Sequence, residues 1–572
     1  MGLFKNGKKF NLFILGIFCV NLLQAIFTPI LKDEAYYWRW AQNLDWGYFD
    51  HPPMVAFIIK LGTFLFPGAL GIRFVTVLLN IAMIFVVWAL GPNSHKNQKN
   101  AEWIFFSILL AMPFFHLYGF VTTPDAPLLF FSALYLLAIK KFEKKDNFLN
   151  ILFLCISASL LIYTKYFGGI VILLSLLFKP KLFKKRSLYL AGILAFILLL
   201  PYINWLYNHD FITLKYHLFQ RKSIGRFRSK FILGYLFSTL GVLNPALFSV
   251  IFYQLFKKNP FVYKKYTFLR RMFVGYILFF FIYSFRSWIE AHWVAFAIIP
   301  MTVVLFDMCI LNPKIFNKLR YALVISILLL FTLRLTLIFD FLPIKTEFNS
   351  HKADYFMAIK ALAKDRKVIF INSYQNASKY NFYSGDKSYS INEICYRKNQ
   401  YNLWNFENEL DSQKVLIVGN RPSNLLINSW VEPIKDSLIL DSGEYFKYKK
   451  IDRFRLLNNL KAEVVKFPKK INQNTRGNIS LQIYNPYVKD LFLDKKRQHY
   501  QLALNFEKDN VNHIVPLFYN KDFNLKAGIK SFLEANYSFN NIQQGKYHLT
   551  VVIKDNNLYF VNMSKIYDIE VK

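Results

Sequence analysis

Cysteine is scarce in this chain of 572 residues, with four in all. Cys19, Cys155 and Cys309 lie inside apolar runs, and Cys395 stands alone in a more polar part. No pair suggests a disulfide framework and no CxxC suggests a metal. The ten histidines form no HExxH, so a zinc site is not expected. Charge is thin as well: 19% of residues are charged, against about 25% in soluble domains. Acids are the rarer sign, 35 against 71 Lys and Arg, which leaves a formal charge of +36. In a soluble protein that excess would suggest nucleic acid. No nucleic-acid motif accompanies it, and none is expected as a partner.

What is abundant is apolar and aromatic, at 54% and 19% of residues. Apolar runs fall at roughly 10–31, 69–90, 102–119, 126–139, 148–163, 166–178, 187–207, 231–256, 272–285, 292–311 and 320–342. About eleven membrane crossings are expected, since about 20 residues span a hydrocarbon core. The fifth and sixth are one stretch broken at "YTKYFGG", where a lysine and two glycines suit a break better than a helix centre. With the basic N-terminus in the cytoplasm, "GPNSHKNQKN", "KKFEKKDN", "KPKLFKKRS", "FKKNPFVYKKYTFLRR" and "NPKIFNKLR" all fall inside, as the positive-inside rule asks. The parity holds only with the break at Lys165. One outward loop, residues 208–230, breaks the rule with its many cations. They either snorkel to lipid headgroups or hold an anionic phosphate.

After residue 343 the apolar runs stop. "KVIFINSYQ" and "KVLIVGN" read as short strands in an α/β region over 345–459. From 460 to 572, alternating strands such as "ISLQIYN", "YQLALNFE" and "YHLTVVIKD" read as a small β-sandwich. The expected fold is therefore a polytopic helical domain, 1–344, followed by these two extracytoplasmic regions.

Under this topology the unusual polar groups share one face. Asp33, Glu34, Tyr48, Asp50 and His51 occupy the first outward loop, "DEAYYWRWAQNLDWGYFDHPP", and Asp125 lies in "TPDAP". Lys165 interrupts a span, while Arg286, Glu290 and His292 sit at the mouth of two others. Ionisable groups at membrane depth are costly, so their gathering on one side suggests a site. Each has a plainer reading alone. Asp33 could cap a helix, Asp125 could be turn chemistry, Lys165 could snorkel, and His292 could pack at the interface. Asp45 reads as a solvated loop acid.

The first loop closely resembles that of bacterial family 39 glycosyltransferases of the GT-C type, a group similar to protein O-mannosyltransferases and the lipid A aminoarabinose transferase. "TPDAPLLFF", "TKYFGG", "EAHW" and "RKNQYNLW" follow in the family's order, so the likeness covers roughly residues 10–450. The resemblance implies transfer of one sugar from a polyprenyl-phosphate carrier to a glycan, lipid or protein acceptor outside the bacterial inner membrane, with inversion and with no obligatory catalytic metal or cofactor. It makes Asp33 the leading catalytic carboxylate, with Glu34 beside it and Asp50 as a third. His51 departs from the lysine that follows the acid in lipid A transferases. The chemistry agrees: a carboxylate can take the acceptor's proton. Lys165, Arg286, Arg221, Arg226 and Arg228 are cations available to a leaving phosphate. The competing reading is a transporter or flippase of a glycolipid, which would place charges near midplane in paired, broken halves.

Overall fold

Every expected crossing folds as helix in the computed structural model. It describes residues 7–220, 227–255, 267–349, 353–419 and 436–572, apart from short stretches at 345, 395, 405, 474, 497–498, 509–510, 540–541 and 556–559. Arg221 and Arg226 thus lie outside the described residues. The chain divides into two units, Met1–Ser350 and His351–Lys572.

The first unit begins with helices α1 (Lys8–Phe27), α2 (Lys32–Gln42), α3 (Met54–Leu65) and α4 (Gly68–Leu90). Among the described residues six helices are long and apolar enough to cross a membrane. A seventh counts if Ser229–Leu243 and Pro245–Gln254, bent by 104°, form one span. Four further apolar helices are shorter. This is a multi-pass membrane protein, although length alone does not return eleven spans. One reason is local: the expected run 102–119 breaks into Ala101–Leu110 and Pro113–Leu117. Pro113 lacks an N–H and drives Met112 into extended backbone. The break at Lys165 is present, with that residue extended between Phe148–Thr164 and Phe167–Phe178.

Among the described residues the second unit holds two larger sheets of different origin and a two-stranded one. Strands Ser388–Ile391, Lys367–Ile371 and Val415–Gly419 pair in parallel. Tyr445–Ile451 and Asp436–Ile439 then extend that sheet antiparallel. The parallel strands are almost fully buried, as continuous apolar runs such as "VIFI" require. Beyond residue 460 the strands form a sandwich. Val511–Phe518 pairs with Tyr500–Lys508 from Val511 to Pro516 and with Lys530–Ser538 at Leu517 and Phe518, so it passes from one face of the sandwich to the other. Alternating positions such as Ile479, Leu481 and Ile483 fill the core.

Candidate active site

Helix α2 carries the site's first acids, and two neighbours on it serve different ends. The helix starts at Lys32, so Asp33 lies inside its first turn and not at the capping position. Glu34 does the capping instead, accepting the backbone N–H of Leu31 at 2.9 Å. Its side chain is fully buried against Arg73 of α4, whose Nε and Nη2 reach its two oxygens at 2.8 and 2.5 Å. The backbone N–H of Thr122 adds another bond at 2.9 Å. Arg73 in turn donates to the carbonyls of Thr28 and Pro29. A carboxylate so saturated has no oxygen left for a substrate, which corrects the expectation of a catalytic Glu34. Asp33, one residue earlier, remains partly exposed.

The rest of the first loop folds back on α2. Tyr36 donates its hydroxyl to Asp50 at 2.9 Å, and Asp50 is itself buried. Tyr48 stacks on Trp40 with ring centroids 4.4 Å apart, and its hydroxyl meets Asp45 and the carbonyls of Trp40 and Asn43. Fully buried, Tyr48 offers no surface to a substrate, so the expected binding role gives way to a packing one. Asp45 is no idle loop acid either: it accepts from the Trp205 indole at 2.8 Å. That contact seats the loop on the helix Arg186–Asn208. Gly47 permits it, since a Cβ there would stand 2.4 Å from the Trp205 ring.

His217 was not singled out from sequence. It lies in a wider, π-type turn, Tyr216–Gln220, of the kind that recurs at functional sites. Its Nε2 is 2.7 Å from the Asp50 carbonyl. Because a carbonyl only accepts, Nε2 carries the proton and any further proton goes to Nδ1. The ring lies near-parallel to His51 at 5.9 Å, with Tyr166 at 5.7 Å. No local signal could have paired it with a loop 167 residues away.

Lys165 and Asp125 meet directly. The ammonium donates to both carboxylate oxygens, at 2.8 and 3.0 Å, and both side chains are nearly sealed from solvent. Asp125 opens the helix Asp125–Lys144, three residues after the Thr122 that binds Glu34. An anion that stabilises Lys165 in the folded chain is therefore Asp125. The ammonium also lies 4.9 Å from the Phe167 ring, which packs edge-on against Trp293. That contact brings the segment bearing Glu290 and His292 beside the break; both are partly exposed. Arg286 and Arg228 are exposed, the latter 5.9 Å from the Phe231 ring. In "RKNQYNLW" the second unit uses its polar residues for packing: Asn399 caps a short turn, and buried Tyr401 bonds Ser378.

Known proteins are similar to this chain in sequence over part of its length and in fold. Residues 50–205 match the family model described as dolichyl-phosphate-mannose-protein mannosyltransferase, a stretch that holds Asp50, Asp125 and Lys165. A lipid A galacturonosyltransferase, RgtD of Rhizobium johnstonii, is 27% identical over 267 residues, 43% of this chain and 54% of that one. The chain thus spans about half the length of this curated relative. Two crystal structures of ArnT from Cupriavidus metallidurans, one apo and one bound to undecaprenyl phosphate, are similar at TM-scores of 0.52 and 0.51. Each is 13% identical and covers 72% of this chain and 92% of the other. The resemblance read from the first loop stands, and so does the GT-C fold class with its sheet-rich C-terminal region.

Proposed function

We propose that this chain is a membrane glycosyltransferase moving a single sugar from a polyprenyl-phosphate carrier to an acceptor at the acidic-loop end of its helices. The observation that carries the reading is that one end of the helix unit holds the Asp50–His217 contact and, through Tyr166 beside His217, the sealed Lys165–Asp125 pair, with the partly exposed Asp33 on the helix whose Tyr36 binds Asp50. The fold around them is shared with a protein solved with undecaprenyl phosphate. In this reading Asp33 takes the proton of an acceptor hydroxyl as its oxygen attacks the anomeric carbon. The bond from that carbon to the phosphate oxygen breaks on the opposite face, so configuration inverts. The electron pair leaves on the phosphate, for which Lys165, Arg286, Arg228, His51 and His217 are the candidate partners, with no metal invoked. The acidic-loop end faces away from the cytoplasm, because the basic connections lie at the other end. The acceptor would be a lipid, glycan or protein of the cell envelope.

The test is incubation of the full chain in lipid with polyprenyl-phosphate sugars, following release of the lipid phosphate. Asp33→Asn keeps the side chain's shape and removes the base. Release should fall by about 10²–10⁴-fold while the protein still accumulates in membranes. Near-normal release by Asp33→Asn would move the role to Asp50, since Glu34 is sealed. A flippase would move the carrier without releasing its phosphate.

A further inference from the structure

At the other end of α1 a groove of about 500 Å³ opens between that helix, the segment from Ala101 to Leu117, and the helix Pro313–Phe339. Its walls are apolar, and its polar residues stand only at the two ends. Lys9 lies at one end near Trp103, with His116 and Arg334 at the other. From Lys9 to Val20 along α1 is roughly 16 Å at 1.5 Å per residue. That is about half of a ~30 Å hydrocarbon core, the depth of one leaflet.

The far end is closed by a polar plug. Arg334 is buried, with Nε donating to Gln24 at 3.2 Å and Nη2 to Asn21 at 2.8 Å. Asn21 also donates to Asn80, and His116 holds the Leu110 carbonyl. Hydrocarbon driven deeper would have to break these bonds in an apolar medium, which is costly. The middle is open: a Cβ on Gly16 would meet nothing within 4 Å. At the near end Lys8 and Lys9 are exposed, and Trp103 is half-exposed, as interfacial tryptophans are.

We propose that this groove holds one acyl chain of an anionic phospholipid, its phosphate against Lys9 and its chain ending below the Arg334 plug. In a bilayer such walls fill with hydrocarbon, and the cationic mouth selects the charge of the headgroup. The sugar donor is a poor occupant, because its reacting phosphate belongs at the acidic-loop end, beyond the plug. The exclusion of the donor rests on the function proposed above, whereas the retention experiment reads bound lipid and not transfer, so the failure of one is distinguishable from the failure of the other.

The experiment uses the purified full chain in mixed micelles containing phosphatidylglycerol or phosphatidylcholine with matched chains, and counts retained lipid by native mass spectrometry. Wild type should retain one phosphatidylglycerol in preference to phosphatidylcholine. Gly16→Phe should fill the groove and abolish that retained lipid, with Gly16→Leu as a milder version should the phenylalanine impair folding. Lys9→Glu should keep a chain but lower the preference for the anionic lipid roughly fivefold or more. Equal retention of both lipids by wild type would overturn the proposal. So would a well-folded Gly16 variant that binds like wild type, or one-for-one displacement of the lipid by polyprenyl phosphate.

Discussion

Glu34 with Arg73 and Asp125 with Lys165 are both carboxylate–cation pairs sealed near one end of the helix unit, and they are built on different cations. In the first, both partners are fully buried, and the carboxylate gathers two further backbone N–H groups while the guanidinium gathers carbonyls of the α1–α2 turn. Arginine's planar fork makes such saturation possible. In the second, a lysine lies across both oxygens of an aspartate at a chain break, beside an aromatic ring. An ammonium has three donors and no fixed plane, so it can trade a partner without dismantling a network. The difference teaches that burial of an acid beside a cation does not by itself mark a catalytic pair. The Glu34 pair fixes where α2 stands, and in the function proposed above the Lys165 pair supplies a cation to the leaving phosphate.

The comparison can be broken by removing one member of each pair and then both. Glu34→Gln strands a buried guanidinium, and breaking such a pair costs about 3–5 kcal/mol. Expected are poor accumulation in membranes and a clearly lowered thermal midpoint in detergent. Replacing both partners, Glu34→Met with Arg73→Met, should recover part of that midpoint and with it much of the transfer rate. If Glu34→Gln instead left stability intact and lost only turnover, Glu34 would return to the catalytic set.

The second pair should behave in the opposite way. Lys165→Ala should slow donor turnover roughly 10²-fold, the scale seen for a single lost transition-state donor. Lys165→Arg should keep part of the donor binding but misplace the charge. The double variant Asp125→Asn with Lys165→Ala removes the stranded carboxylate, so its stability should recover while its turnover stays as slow as that of Lys165→Ala. Comparing kcat and KM for the carrier lipid across the set decides the point. Recovery of turnover in the double variant would make this pair structural too, and the histidines at Asp50 would become the principal phosphate-binding groups.

Much of the fold was legible because it rests on short-range pattern. Apolar runs gave the helices, charge parity gave the break at Lys165, and alternation gave the sandwich. What was not legible was partnership. Lys165 and Asp125 stood out singly, but nothing local says that residues 40 apart neutralise each other. Arg73 could have been noticed as an ionisable group within an apolar helix of 23 residues. Its recognition would have warned that Glu34 was spoken for. Tyr48 was misread for the same reason, since its aromatic neighbours could equally line a site or fill a core. Only the 4.4 Å stack on Trp40 distinguishes them.

The smallest expected effect lies in the second unit and concerns another buried carboxylate, one that among the described residues is held by neutral donors. Glu407 accepts from the Asn458 N–H at 3.1 Å, the Asn459 side-chain amide and the Tyr487 hydroxyl. It thereby ties the helical turn Glu407–Leu410 to the start of the sandwich. Burial pushes its carboxyl up to about 7, against the pull of these donors. An acid with an ordinary value near 4.3 when unfolded then holds its proton in the folded state through the interval from about 4.3 to 7. In that interval the folded chain binds more protons than the unfolded one, so stability falls as pH rises and levels off above about 7. The contribution is fully present below the unfolded value. Glu407→Gln cannot ionise, so the difference in thermal midpoint between wild type and variant isolates this group from the other titrations of the chain. Wild type should lose ground to the variant between pH 5 and 7 and run parallel to it from pH 7.5 upward. Parallel curves throughout would mean that the three donors hold the carboxylate ionised despite its burial.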